Sequence, residues 1–232
     1  EYYDKYRARR YGFHGTSHKF VAERGGKLAG LDINNSKVVT CHLGNGGSVT
    51  AVLNGKSVDT SMGFTPVEGV VMGTRCGNID AGLVTFLQEK EGLDADGVNK
   101  VLNKKSGFLG VSGVSSDGRD ITAAADSGNY RAALSQQMFA HSVKKYIGAF
   151  SAVMGGLDLI VFTGGIGEND SAARERICST LGYLGVDFDA EVNAGIHGDD
   201  AIITKEGSKV KAAVIATNEE LVIATDTMNL VK

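Results

Sequence analysis

The chain has 232 residues, 42% hydrophobic and 22% charged, with a formal net charge of -3 and a pI near 6.0. That length and balance suit one large domain or two small ones with a real core. They leave no electrostatic footprint for nucleic acid or an anionic membrane, and no apolar run reaches spanning length.

Cys41, Cys76 and Cys178 are odd in number and far apart, so neither a disulfide framework nor a zinc site is read, and a reducing cytoplasm fits. Glycine is the outlier: 32 residues, about twice average usage, against the single proline Pro66. The glycines cluster after apolar runs, which points to function through backbone loops.

Glu1 to Arg10 is charged and aromatic and reads as a helix end or edge segment. Its basic cluster, Lys5, Arg7, Arg9 and Arg10, reads as a solvated face. No signal peptide is read, and the chain starts at Glu1, not Met, which reads as a cleavage or cloning boundary. Next come Phe13-His14-Gly15-Thr16-Ser17-His18. Thr16 or Ser17 is expected to cap a helix from His18 to about Ala29, with Gly30 just past its end. His14 then precedes a helix N-terminus, where backbone donors favour an anion.

Lys37 to Thr60 reads as three short strands folded back on one another. The first turns at Leu43-Gly44-Asn45-Gly46-Gly47. The second and third are joined by Asn54-Gly55, the dipeptide of a two-residue type I′ hairpin. The glycine-rich first turn lets backbone N–H groups converge on an anion, or simply makes a tight bend. Ser61 to Gly73 is a loop leading to Arg75, which sits among glycines where a planar cation can face a phosphoryl group or a surface carboxylate. Asp80 is expected to cap a helix to about Lys90, ended by Gly92. Asp94 is expected to cap another to about Lys104, ended near Gly107.

Gly110 to Asp120 reads as a polar loop ahead of a long helical region, roughly residues 121 to 154, broken near Ser127-Gly128. Leu134, Met138, His141, Lys145 and Ile147 only partly follow a helical stripe there. Leu157 to Phe162 reads as a buried strand. It runs into the glycine loop 163–170 and then a helix from Ser171 to Ser179, a phosphate-cradling order. The loop is neither GxGxxG nor a GK[ST] P-loop, so no Rossmann dehydrogenase or Walker ATPase is read. Lys209 to Ala216 is a further strand. Thr217 and Glu220 have capping-box spacing before a terminal helix to about Val231. Glu219 there complements the helix dipole or holds Mg²⁺. His18 and His141 read as structural, and His197 as part of a surface turn.

Six motifs stand in one order along essentially the whole chain: RRYGFHGTSH (9–18), HLGNGGS (42–48), TPVEGVVMGTRCG (65–77), SGVSSDGRD (112–120), FTGGIGEN (162–169) and TNEEL (217–221). Together they resemble the acetate kinase family, within the acetate and sugar kinase, heat-shock and actin superfamily. The resemblance implies an α/β fold: a ribonuclease H-like, actin-like ATPase lobe with a mixed β-sheet, a three-stranded antiparallel hairpin element and flanking helices. Residues 1–217 would be the C-terminal lobe. Residues 218–232 would be a terminal helix that packs on an N-terminal lobe absent from this chain. Leu221, Val222, Ile223, Met228 and Leu230 would then lack their partner.

The implied reaction is reversible in-line transfer of a phosphoryl group from ATP to acetate, giving acetyl phosphate and ADP. The alternatives are a nucleotide-binding module without turnover and a propionate or butyrate kinase of the same family. By resemblance His14 and Arg75 are catalytic, and Glu219 binds Mg²⁺. The nucleotide residues are His42, Leu43, Gly44, Asn45, Gly46, Asp117, Gly118, Arg119, Gly165, Ile166, Gly167, Glu168 and Asn169. Phe13 and Pro66 line the acetate methyl pocket. Family members often have Asp at position 78, Pro at 81 and a larger residue at 118, where this chain has Asn78, Ala81 and Gly118. A cytoplasmic homodimer is implied, with the long helical region as its candidate surface.

Overall fold

The computed structural model describes residues 1–231. The chain divides into two compact units, one of residues 1–12, 45–47 and 61–142, the other of residues 13–44, 48–60 and 143 onward.

The second unit is built on a six-stranded sheet. Its strands are β1 (Lys37–Leu43), β2 (Gly47–Leu53), β3 (Lys56–Thr60), β4 (Leu159–Thr163), β5 (Ala201–Ile202) and β6 (Lys211–Val214), in the order β3-β2-β1-β4-β6-β5. β1, β4 and β6 run parallel, with Val38 opposite Leu159 and Leu159 opposite Lys211. The β2–β3 and β5–β6 pairs at the two edges are antiparallel, so the sheet is mixed. β4 is buried along its whole length, as its unbroken apolar run requires of a central parallel strand. At Asn54-Gly55 both residues have positive φ, 52° and 75°, the geometry expected of a type I′ turn.

Helix α2 (Gly15–Leu28) packs on this sheet. Val21, Ala22 and Ala29 meet Val38, Leu159, Val161, Ala213 and Ile215 in one buried cluster. The terminal helix α11 (Glu219–Val231) lies against α2, with Lys19 Nζ 3.1 Å from an Asp226 carboxylate oxygen. Leu221, Ile223, Met228 and Leu230 of α11 are exposed, and Val222 is half-buried.

The first unit is helical: α1 (Tyr2–Tyr6), α3 (Gly82–Glu91), α4 (Ala95–Lys104), α5 (Gly107–Ser112) and α6 (Gly118–Asp126). α1 is solvated, and Arg10 near it pairs with Glu68 at 2.6 Å. Asp94 caps α4 by accepting from the Gly97 N–H at 2.7 Å. The Asp80 carboxylate accepts from the Gly82 N–H at 2.8 Å where α3 begins. α7 (Tyr130–Val153) starts in this unit and ends in the other.

Several local expectations change. α2 is capped by neither Thr16 nor Ser17. It starts at Gly15, with His14 as its N-cap in the left-handed conformation at φ 59°. Thr16 and Ser17 lie inside the helix, and the Ser17 hydroxyl bonds a histidine instead. The loop expected over 110–120 is partly helical, because α5 runs to Ser112 and Asp117 caps α6 at 118. The stripe of α7 has another phase: Ala132, Ser135, Phe139, Val143, Ile147 and Phe150 are buried, while Met138 and His141 face out. The expected loop 163–170 is a short helix, α8 (Gly164–Asn169), followed at once by α9 (Ser171–Cys178). α11 is capped by Asn218, whose side chain accepts from the Leu221 N–H at 2.9 Å, so the Thr217 box does not form. A five-residue helix, α10 (Ala190–Ala194), and the edge strand β5 have no clear local signal.

Candidate active site

Parallel strands place their carboxyl ends together, and in open α/β sheets that edge is where ligands bind. In the second unit His42 at the end of β1 lies opposite Thr163 at the end of β4. β6 ends at Val214 and leads through Ile215 to Thr217. His42, Leu43, Gly44, Gly165 to Asn169 and Glu219 therefore all follow the carboxyl ends of β1, β4 and β6.

Three imidazoles cluster at this edge. The His14 and His42 rings stack with centroids 4.1 Å apart and planes 13° from parallel. His18 stands edge-on to both, at 6.4 and 6.3 Å. The left-handed backbone of His14 costs about 1 kcal/mol and turns the chain into α2 beside His42. Each ring is held by hydroxyls. His14 Nδ1 is 2.8 Å from Ser48 Oγ, and His18 Nε2 is 2.7 Å from the same oxygen. His18 Nδ1 meets Thr40 Oγ1 at 2.7 Å, and His42 Nδ1 meets Ser17 Oγ at 2.8 Å. Burial, reinforced by the neighbouring His42 and His14, lowers the His18 pKa to about 3. Burial also lowers that of His42, against a smaller opposing pull from the Glu168 carboxylate. At neutral pH His18 and His42 are uncharged hydrogen-bonding rings.

Glu168 fastens the glycine helix. Its Oε1 accepts from the Thr163 hydroxyl, the Gly164 N–H and the Thr217 N–H at 3.0, 2.9 and 3.1 Å. Gly164 has φ 77°, and a Cβ there would come within 2.8 Å of the Leu43 carbonyl oxygen, so only glycine lets α8 start this close to β1. The other end of α8 is held by Arg174. Its guanidinium is fully buried and donates to the carbonyls of Gly167, Glu168, Asn193 and Ile196 at 2.8 to 3.1 Å, and to the Asn193 side chain at 2.8 Å. Gly165 is exposed, Ile166 half-buried and Gly167 buried, and the Asn169 amide donates to the Gly165 carbonyl at 3.1 Å. His197 lies at the surface, with Nδ1 3.2 Å from the Asn169 carbonyl.

Glu219 is half-buried in the first turn of α11, and among the described residues its carboxylate has no ion-pair partner. Mg²⁺ takes one or two carboxylates together with water and substrate phosphates. The single Glu219 carboxylate fits that donor set. Among the described residues no group of three or more His, Cys, Asp or Glu is arranged for a metal, so an all-protein cage does not fit.

The first unit carries Asn45, Gly46, Pro66, Arg75, Asp117, Gly118 and Arg119. Arg75 lies against Gly46: a Cβ there would be 3.0 Å from Arg75 Nη1. Nη1 also meets Met72 Sδ at 3.8 Å, and Arg75 has no carboxylate partner among the described residues. The Asn45 carbonyl accepts from the Gly73 N–H at 3.0 Å. Asp117 and Arg119 hold each other through contacts of 2.6 and 3.1 Å, and Asp117 Oδ1 also accepts from the Arg119 N–H at 2.8 Å. The hydrogen bond from the Arg119 side chain, then that from its backbone, takes the Asp117 pKa down to about 2. Asn78 exchanges hydrogen bonds with the Gly69 backbone at 2.9 Å, and Ala81 sits at the start of α3.

The structure thus gathers His14 and His42 in one unit and Asn45, Gly46 and Arg75 in the other. Phe13, half-buried beside His14, and Pro66, half-buried in the loop before Arg75, fall in different units.

The acetokinase family model matches residues 1–225. The chain belongs to the acetokinase family. It is 53% identical to the acetate kinase of Bacteroides thetaiotaomicron, over all of this chain and 58% of that protein. The fold matches the crystal structure of Porphyromonas gingivalis acetate kinase with a TM-score of 0.97 and 50% identity, over 99% of this chain and 58% of that one. It matches a propionate kinase from Francisella tularensis with a TM-score of 0.90 and 42% identity, over 97% of this chain and 57% of that one. The chain therefore spans somewhat over half the length of these acetokinase relatives. Its mixed sheet and flanking helices are those of an actin-like ATPase lobe.

Sequence reasoning missed Ser17, Ser48, Thr217 and Arg174 as parts of the site's framework. Ser17 and Thr217 carried only a local signal, as helix caps, and Arg174 carried none.

Proposed function

We propose that the protein containing this chain is an acetate kinase, transferring a phosphoryl group reversibly between ATP and acetate. The observation that carries this reading is the near-coincident fold shared with the P. gingivalis acetate kinase, together with 50% identity. In-line phosphoryl transfer asks little covalent chemistry of the protein; it asks for alignment and for donors around the moving group.

His14 and Arg75 are assigned to the oxygens of that group, Arg75 through its planar fork. His42, Leu43, Gly44, Asn45 and Gly46 are assigned to the nucleotide phosphates. Asp117, Gly118 and Arg119 are assigned to the nucleoside end, as are Gly165 to Asn169. Phe13 and Pro66 exclude water from the acetate methyl. Mg²⁺ held through Glu219 would neutralise phosphate charge when bound. Residues 1–217 act as the C-terminal lobe, and the helix after them meets an N-terminal lobe. Support for that lobe is the remaining length of the relatives and the exposed Leu221, Ile223, Met228 and Leu230. The protein works as a cytoplasmic homodimer, with α7 as the candidate contact.

An acetyl hydroxamate assay tests this reading. Protein that includes the remaining length should form acetyl phosphate from ATP and acetate with Mg²⁺, and His14→Ala should lower kcat by about 10²–10³. The 232-residue chain alone should bind ATP by calorimetry without turnover. No ATP binding by either form would sink the proposal. The propionate kinase likeness supports a second reading, decided by rates on acetate, propionate and butyrate.

A further inference from the structure

His42 Nδ1 lies 2.8 Å from Ser17 Oγ, and Ser17 is fully buried inside α2. The Thr217 hydroxyl donates to the same Ser17 oxygen at 3.0 Å. Thr217 is fixed in turn, because its N–H donates to Glu168 Oε1 at 3.1 Å. Ser17 has one proton to give, and a buried hydroxyl proton needs an acceptor. Its oxygen already accepts from Thr217, and among the described residues the acceptor within reach of its proton is His42 Nδ1. A ring nitrogen that accepts carries no proton, so in the neutral imidazole the proton sits on Nε2.

We infer that Thr217 and Ser17 are positioning residues that lock His42 in its Nε2–H tautomer, so that the end of β1 presents a neutral imidazole donor to an anionic oxygen. The tautomer follows from the hydrogen bonds alone. Only the acceptor, a phosphate oxygen, rests on the phosphoryl-transfer reading. The surroundings favour a donor without charge. His14 stacks on the ring at 4.1 Å and His18 stands 6.3 Å away, so a proton on His42 would face two further imidazoles. The chain Glu168–Thr217–Ser17–His42 also joins the turn opening α11 to the end of β1, two segments far apart in sequence.

Long-range ¹H–¹⁵N correlation spectra of ¹⁵N-histidine-labelled protein distinguish the two neutral tautomers. The chain has five histidines, and His42→Gln identifies the signal by its loss. At pH 8 His42 should show the Nε2–H pattern. Ser17→Thr should keep it, while Ser17→Ala and Thr217→Val should shift it towards Nδ1–H. An Nδ1–H pattern in the parent protein overturns the inference, as does a Thr217→Val spectrum identical to the parent's. Calorimetry with ATP forms a separate arm: Ser17→Ala should raise Kd about tenfold, the loss of one charge-assisted hydrogen bond. A parent protein that shows the Nε2–H pattern but binds no ATP would refute the kinase reading and leave the tautomer assignment standing.

Discussion

In the second unit the imidazoles of His14, His18 and His42 each meet a hydroxyl at 2.7 to 2.8 Å, and those hydroxyls come from α2, β1 and β2. In the first unit Arg75 rests on the bare backbone of Gly46, with a thioether at 3.8 Å and no carboxylate partner among the described residues. One region holds its donors through a polar network that also ties the fold together. The other keeps a cation in place by shape, with no ion pair holding its side chain among the described residues. Substitutions should therefore cost folding in the first case and spare it in the second.

Arg174 offers the hardest test. It is fully buried and donates to four backbone carbonyls and the Asn193 side chain, at the end of α8 and around α10. Arg174→Met fills similar space and removes every donor, stranding several buried acceptors. Each such group costs about 1–3 kcal/mol, so the loss should be at least about 3 kcal/mol in urea unfolding. A loss under about 1 kcal/mol would mean that water replaces the guanidinium and that the network is not what orders this edge.

His18 gives a smaller effect with a definite sign. Its folded pKa is lowered from 6.5 to about 3, chiefly by burial. The unfolded chain then binds a proton that the native state refuses. The stability His18 supports is fully present above pH 6.5 and falls as pH drops from 6.5 towards 3. The slope for one such group is up to about 1.4 kcal/mol per pH unit. His42, lowered in the same direction, adds to it. Unfolding free energy measured at several pH values should show this fall, and His18→Asn should flatten it.

The same contrast explains what could be read from sequence. Asn54-Gly55, the buried run of β4 and the Asp94 cap were legible because each is a local solution: a turn needing two positive φ values, an apolar strand, a carboxylate over the next N–H groups. The Gly-rich segment 164–169 was not. Its helix depends on Glu168 accepting from its first N–H and on Arg174 donating to the Gly167 and Glu168 carbonyls near its end, and no propensity records that. Thr217 was misread as a cap for a related reason. Its hydroxyl goes to Ser17, 200 residues away, and the adjacent Asn218 caps the helix instead. The residues proposed to meet ligand come from motifs specific to the family. The hydroxyls behind them were not legible, because serine and threonine first suggest caps and turns.

The smallest effect on folding, and the sharpest use of the contrast, belongs to Arg75. Among the described residues Arg75→Ala removes no ion pair and costs only the weak contact to the Met72 thioether, so its unfolding free energy should stay within about 0.5 kcal/mol of the parent. In protein that includes the remaining length of the relatives, turnover should nonetheless fall by about 10²–10³, as when one transition-state donor is deleted. Arg75→Lys separates charge from shape. A lysine keeps the cation but offers a point charge where the guanidinium offers a planar fork. If the fork aligns the phosphoryl oxygens, Lys should restore ATP affinity more fully than kcat. Equal recovery of both would mean that Arg75 supplies only long-range attraction. A large loss of stability in Arg75→Ala would place this loop with the histidine network and dissolve the distinction between the two regions.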